Sequence, residues 1–293
     1  MKKVLVLLVA AMLAVTGIAA TGCNGEKEIL VVMREAGSGT REAFEKVVKS
    51  EDGVSLEKIT KDETDKYSFV LNRQELPSTA NVLTSVQSNK NAIGYISLAS
   101  VNKDVKALKV EGVEATTENV QSGEYKIQRP FLLLTRADEV ITPAAQDFYN
   151  FCMSSDVLDI IDEEGLIRDP ERTPAAYVPA TLSAATINVT GSTSMTELMI
   201  KLIAAYKEKQ PNVTINQTYP GSGGGRTAVE NDTTGATLGL ASSSSPKDTY
   251  VENTVCLDAV AVIVNPANEI SDISILNLFN IYTGAVKKFS EIK

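Results

Sequence analysis

Three times along this chain, a stretch of β-formers runs into glycine, serine and threonine and then into a segment with helical periodicity. The first unit joins residues 28–33 (EILVVM) through 37–40 (GSGT) to a segment where Phe44, Val47 and Val48 fall at i, i+3 and i+4. The second joins the alternating 186–190 (TINVT) through 191–194 (GSTS) to a helix marked by Met195, Leu198, Met199, Leu202, Ile203 and Tyr206. The third joins 213–219 through Pro220 and 221–225 (GSGGG) to a helix over 226–231. Further strands are predicted at 92–97, 105–110, 129–135 and 255–264, and helices at 79–88, 144–153, 155–164 and 273–282. Ser194 and Glu197 have capping-box spacing. Such alternation implies an α/β architecture with mainly parallel sheets. Ligands then sit off the carboxyl ends of the strands, where helix N-termini present unpaired N–H groups and partial positive charge. Any one of these turns is equally compatible with a plain helix cap or a flexible loop; three in one chain make a constellation suited to a small anion.

The chain has 293 residues, enough for one large or two medium units. Its 28 Lys and Arg against 37 Asp and Glu give a net charge of −9. That balance argues against nucleic acid as a partner, because such binding rests on cations neutralising phosphates. A small anion would need a local cluster of donors. Histidine is absent, which excludes Ser-His-Asp and Cys-His catalysis and His-ligated zinc. Cys23, Cys152 and Cys256 lack CxxC spacing, so no metal site or cofactor is expected, and Cys152 and Cys256 are read as separate buried thiols.

Residues 1–22 have the layout of an export signal: Lys2 and Lys3, an apolar run, then small residues ending at Cys23. Cleavage before Cys23, with acylation of that cysteine, would tether the body to the cell membrane on its extracytoplasmic side. Cleavage after Ala20, or an uncleaved anchor, also places the body outside the cytoplasm.

Arg34 precedes Ser38 by four residues. A strand-end arginine beside a Ser-Gly-Thr helix start can offer a bidentate fork to an oxyanion, with Ser38, Thr40 and amides near Gly39 as further donors. A surface arginine and an ordinary N-cap explain the same residues. Gly221 to Thr227 does not make a P-loop: the spacing is one residue short and Arg226 stands in place of the lysine. The serine run 242–245 is read as a solvated turn in which Ser242 could add one hydroxyl, and the charged runs 45–62 and 162–164 as solvated faces.

Residues 34–41 (REAGSGTR), 191–195 (GSTSM), 221–225, 259–268 and 281–284 (IYTG) together resemble the phosphate-binding subunit of phosphate ABC importers, across nearly the whole body. The order differs: in that family the GSTS-type half comes first, so the chain resembles a circular permutant. A fragment of a tandem duplication is the rival explanation.

The resemblance implies a type II periplasmic-binding-protein-like fold with a ligand cleft between two lobes. One lobe would be contiguous, residues 97–264; the other would pair 28–96 with 265–293. It implies inorganic phosphate as ligand, ABC permease and ATPase subunits as partners, and no enzymatic activity. The ligand contacts carried over are Arg34, Ser38, Gly39 and Thr40 from one lobe and Thr193, Ser194, Ser222 and Ser242 from the other. Family members have an Asp in the segment matching 241–245, to accept the proton of hydrogen phosphate. Only Ala241 and serines stand here, so Asp258 is the substitute candidate, an edge-strand surface charge being its other reading. Another tetrahedral oxyanion such as sulfate, and a non-transport surface sensor or interaction protein, are the alternative functions.

Overall fold

The computed structural model describes residues 27–137 and 141–292; residues 1–22, read as an export signal, and Cys23 lie outside the described residues. The strands, in chain order, are β1 (Leu30–Arg34), β2 (Arg73–Leu76), β3 (Ala92–Ser97), β4 (Lys106–Ala107), β5 (Lys109–Val110), β6 (Gln128–Arg136), β7 (Ala185–Gly191), β8 (Val213–Thr218), β9 (Thr237–Ala241), β10 (Tyr250–Val264) and β11 (Asp272–Ile273). The helices are α1 (Gly39–Val47), α2 (Leu56–Thr60), α3 (Thr79–Ser88), α4 (Thr117–Gln121), α5 (Pro143–Cys152), α6 (Leu158–Glu163), α7 (Thr196–Lys209), α8 (Ser222–Asn231) and α9 (Ile275–Tyr282).

One sheet runs in the order β2-β1-β3-β10-β6-β9-β7-β8, with β4 also paired to β10. β10 belongs to both halves of it. Its residues 260–264 pair with β3, and its residues 250–259 pair with β6. The sheet is mixed, which corrects the expectation of mainly parallel pairing. Among the described residues, β1 with β2 and β3, β7 with β8 and β9, and β5 with β11 are parallel. β10 runs antiparallel to β3, β4 and β6, as β6 does to β9. The apolar runs of β6 and β10 read the same in either direction, so periodicity carries no information about their sense.

The two halves bury separate apolar clusters. One gathers Val31, Met33, Phe44, Tyr95, Tyr125, Val262, Phe279 and Tyr282, with Phe44 stacked on Tyr95 at 4.2 Å between ring centroids. The other gathers Phe131, Phe148, Phe151, Val189, Leu202, Tyr206 and Leu240. Each such side chain contributes ~1.5–3 kcal/mol by leaving water. Leu108, Val110, Val120, Tyr125 and Ile127 join the first cluster. The ends of the described chain meet there too: the Ile29 amide donates to the Lys287 carbonyl at 2.7 Å.

Local details depart from the sequence reading in three places. The glycines at 223–225 are not a loop but the first turns of α8. A Cβ on Gly225 would lie 2.6 Å from the Leu240 carbonyl oxygen and 2.8 Å from that of Thr190, so only glycine lets α8 approach β7 and β9 this closely. The Ser194–Glu197 capping box is not formed: Ser192 caps a 3-10 turn over Thr193–Met195, and α7 starts behind it with Met195 at its N-cap. Glu45, read as part of a solvated face, is buried in an ion pair with Arg41 at 2.6 Å.

Cys152 and Cys256 are unpaired and buried, as expected, and burial raises both thiols above their ordinary pKa. Neither should react with a thiol reagent such as DTNB in the native protein, and both should react in denaturant. Stoichiometric labelling of either thiol in the folded chain would contradict this packing.

Candidate functional site

Four helices begin just beyond the carboxyl ends of parallel strands. β1 leads into α1, β2 into α3, β7 through the 193–195 turn into α7, and β8 into α8. α1 and α3 belong to one half of the sheet, α7 and α8 to the other. Their first residues touch. Thr40 Oγ1 lies 3.0 Å from Ser194 Oγ. Thr79 Oγ1 lies 3.2 Å from Thr193 Oγ1 and 3.4 Å from Ser194 Oγ. Ser242, just past β9, is 2.9 Å from Ser192 Oγ and 3.3 Å from Ser222 Oγ, while its amide donates to Ser222 Oγ at 3.1 Å. Thr40, Thr79, Ser192, Ser194, Ser222 and Ser242 are all buried.

Gly39 closes the cluster from the α1 side. A Cβ there would stand 2.6 Å from the hydroxyl oxygens of both Ser222 and Ser242, so any larger residue would push the two walls apart. Beside the cluster opens a cavity of about 490 Å³, with Leu83, Val101, Thr193 and Tyr219 in its lining.

Beneath Ser242 lies a buried ion pair. Arg129 Nε and Nη2 donate to Asp258 Oδ2 at 3.0 and 2.8 Å, and Arg129 Nη1 reaches Ser242 Oγ at 3.2 Å. Ser97 donates to the same Asp258 oxygen at 2.8 Å. Arg129 and Asp258 are register partners on β6 and β10. Burial, the largest effect, raises the Asp258 carboxyl above its ordinary value, against the opposing pull of Arg129 and Ser97. Burial likewise lowers Arg129, and the nearby positive charge of Arg34 adds to that. Asp258 Oδ1 is buried with no hydrogen-bond partner among the described residues.

Of the residues expected from sequence, Gly39, Thr40, Ser194, Ser222 and Ser242 are thus brought together. Thr193 joins through Thr79, and Asp258 through Arg129. Asp258 is no edge-strand surface charge, since β10 is an interior strand and the residue is 1% exposed. Ser38 lies at the site's edge, where its side chain caps α1 by accepting from the Arg41 amide. Arg34 is buried, but its guanidinium is held by Glu35, at 3.0 and 2.8 Å, and by the Leu76 and Pro77 carbonyls at 3.2 Å each. The serine run is not simply a solvated turn, because Ser242 and Ser243 are buried.

Sequence reasoning missed Thr79, Ser97, Arg129 and Ser192. Thr79 had a readable signal: Leu76-Pro77-Ser78-Thr79 is a fourth strand end leading into a helix. Arg129 had a weaker one, as a lone cation at the head of the apolar run of β6.

The profile of the PBP superfamily domain matches residues 19–156 and 178–291. The chain is 37% identical over 280 residues to the phosphate-binding protein PstS 2 of Streptococcus pneumoniae serotype 4 (strain ATCC BAA-334 / TIGR4), across 94% of this chain and 91% of the relative. It is 33% identical over 301 residues to the phosphate-binding protein PstS 2 of Streptococcus agalactiae serotype V (strain ATCC BAA-611 / 2603 V/R), across 99% and 98% of the two chains. The crystal structure of a phosphate-binding protein of a phosphate ABC transporter from Streptococcus pneumoniae TIGR4 superposes with a TM-score of 0.66 at 34% identity, covering 91% of this chain and 100% of that one. The chain therefore belongs to the PBP superfamily, in the family that holds these streptococcal phosphate-binding proteins.

The Arg129–Asp258 pair generates a stability prediction. Asp258→Ala leaves a buried guanidinium uncompensated and should cost ~3–5 kcal/mol. Urea unfolding checks it, and a loss below ~1 kcal/mol would show that Arg129 is solvated after all.

Proposed function

We propose that this chain is the extracytoplasmic phosphate-binding component of an ABC-type phosphate importer. The function of its relatives and the convergence of four helix starts on one hydroxyl cluster support this reading. The observation that carries it is the contact of Thr40 with Ser194, which joins helix starts from opposite halves of the sheet. An anion seated there would replace the hydroxyl–hydroxyl bonds with charge-assisted ones, each contributing ~1.5–3 kcal/mol net. The role is capture and release; no bond is made or broken.

The two halves of the sheet are then the two lobes of a type II binding protein, with the site in the cleft between them. The packing of 105–127 with the Val31–Tyr282 cluster favours crossings at residues 127–129 and 258–260, where β10 changes partner. The streptococcal relatives match this chain end to end and so share its order of halves; the Ile29–Lys287 contact makes an origin of that shared order by circular permutation geometrically simple. Cys23 would carry the lipid anchor, and a permease with its ATPase would receive the ligand.

Ser38, Gly39, Thr40, Thr193, Ser194, Ser222 and Ser242 provide the donors in this reading. Arg34 and Arg129 supply positive charge at its margin. Asp258, with one oxygen unpartnered, is the acceptor that would take the proton of hydrogen phosphate and disfavour sulfate, which has none to give.

Calorimetric titration with phosphate and then sulfate tests the reading. Phosphate should bind at micromolar strength or better, about −8 kcal/mol, and sulfate more weakly. Equal binding of both, or of neither, would refute it. Gly39→Ala should remain folded and lose at least ~100-fold in phosphate affinity, because the added methyl holds the walls apart. Unchanged affinity in that variant would place the ligand elsewhere.

A further inference from the structure

Arg226, the residue standing where a P-loop would have its lysine, does not face the hydroxyl cluster. Its guanidinium crosses to the other half of the molecule. Nη1 lies 3.2 and 3.3 Å from the two carboxylate oxygens of Glu42, and Nη2 lies 3.3 Å from one of them. Nη2 also donates to the carbonyl and hydroxyl oxygens of Ser243, at 2.7 and 2.9 Å. The Ser243 hydroxyl in turn donates to Glu42, which closes a three-membered ring of contacts. Arg226 and Ser243 are 7% and 3% exposed, and Arg226 Nε is buried with no partner among the described residues.

Position explains the consequence. Glu42 follows Gly39 by three residues on α1, and Arg226 follows Ser222 by four on α8. Residues so spaced share a helix face, so these contacts sit one turn behind the place where Gly39 meets Ser222. Two more bonds flank them across the same divide: the Gly223 amide to the Gly37 carbonyl at 2.9 Å, and Lys46 Nζ to the Ser244 carbonyl at 3.2 Å. Arg226 is already tied to Ser243 within its own half. It therefore presents a prepared fork, and Glu42 alone has to arrive.

We propose that Glu42, Arg226 and Ser243 form a clasp between the two walls of the site, and that this clasp sets how long a bound anion is retained. The proposal rests on the phosphate-capture reading. The clasp touches no ligand; it positions α1 against α8 and so holds Gly39 and Thr40 against Ser194, Ser222 and Ser242. Contacts that exist only when the walls meet stabilise the closed arrangement and must break before release, so they act on the dissociation rate.

The test uses the purified full-length chain. Phosphate dissociation is followed by stopped-flow displacement for the native protein, Glu42→Gln, Arg226→Gln, the milder Ser243→Ala, and the charge-swapped pair Glu42→Arg with Arg226→Glu. Small-angle scattering without added phosphate is measured in parallel. Both glutamine variants should release phosphate at least ~10-fold faster with no slower association, and Ser243→Ala ~3-fold faster. The charge swap should recover most of the native rate, which a merely structural role would not produce. Both glutamine variants should also show a larger radius of gyration than native. Dissociation within ~2-fold of native together with an unchanged radius would overturn the clasp. A native chain that takes up no phosphate would defeat the capture reading instead, and the scattering comparison alone would then decide the clasp.

Discussion

One strand holds the two halves of this molecule in register. β10 gives residues 250–259 to β6 and residues 260–264 to β3, and Asp258 lies beside the change of partner. Its carboxylate grips Arg129 from the β6 side and Ser97 from the end of β3. Arg129 continues to Ser242, and Ser242 to Ser192 and Ser222. The hydroxyl cluster is thus built on top of a strand junction. Displace β10 by one residue and Asp258 would turn to the opposite face of the sheet, taking the support of Ser242 with it.

The electrostatic design follows from that arrangement. The chain is acidic overall, and Arg34, Arg129 and Arg226 beside the site each have a carboxylate of their own: Glu35, Asp258 and Glu42. Little net positive charge is left over. What remains is a ring of hydroxyls and helix starts, whose dipoles are fixed by the fold. Dipoles attract an anion at short range and impose no distant field. That suits a ligand which must be fully stripped of water to be recognised and then let go.

Much of this was legible in the residues. The helix predicted at 79–88 and the strand predicted at 92–97 match α3 and β3, because caps, periodicity and β-branched content all agreed there. The three glycine-and-hydroxyl turns do converge. Other parts were illegible for definite reasons. Residues 223–225 carry poor helix propensity, and only close packing against β7 and β9 makes them helical. Arg129 and Asp258 are each visible as isolated charges, but they are 129 residues apart, and no local pattern announces which strands will be neighbours. Strand direction was lost for the same reason. Arg34, read from sequence as a ligand fork, has its guanidinium engaged by the very next residue, a pairing that no periodicity announces.

The distribution of the two apolar clusters along the chain has a consequence for biogenesis. The cluster around Phe131 and Tyr206 is drawn from residues 131–256, so its parts emerge in one unbroken run. The cluster around Phe44 and Tyr95 also needs Ile273, Phe279 and Tyr282, which are made only after all of residues 131–256. During synthesis the cluster around Val31, Met33 and Phe44 can therefore be assembled only in part, from residues 29–127, until residues 259–282 arrive. A chaperone or the export machinery would have most to do in that interval, and the acidic character of the chain helps keep the partly assembled segment in solution.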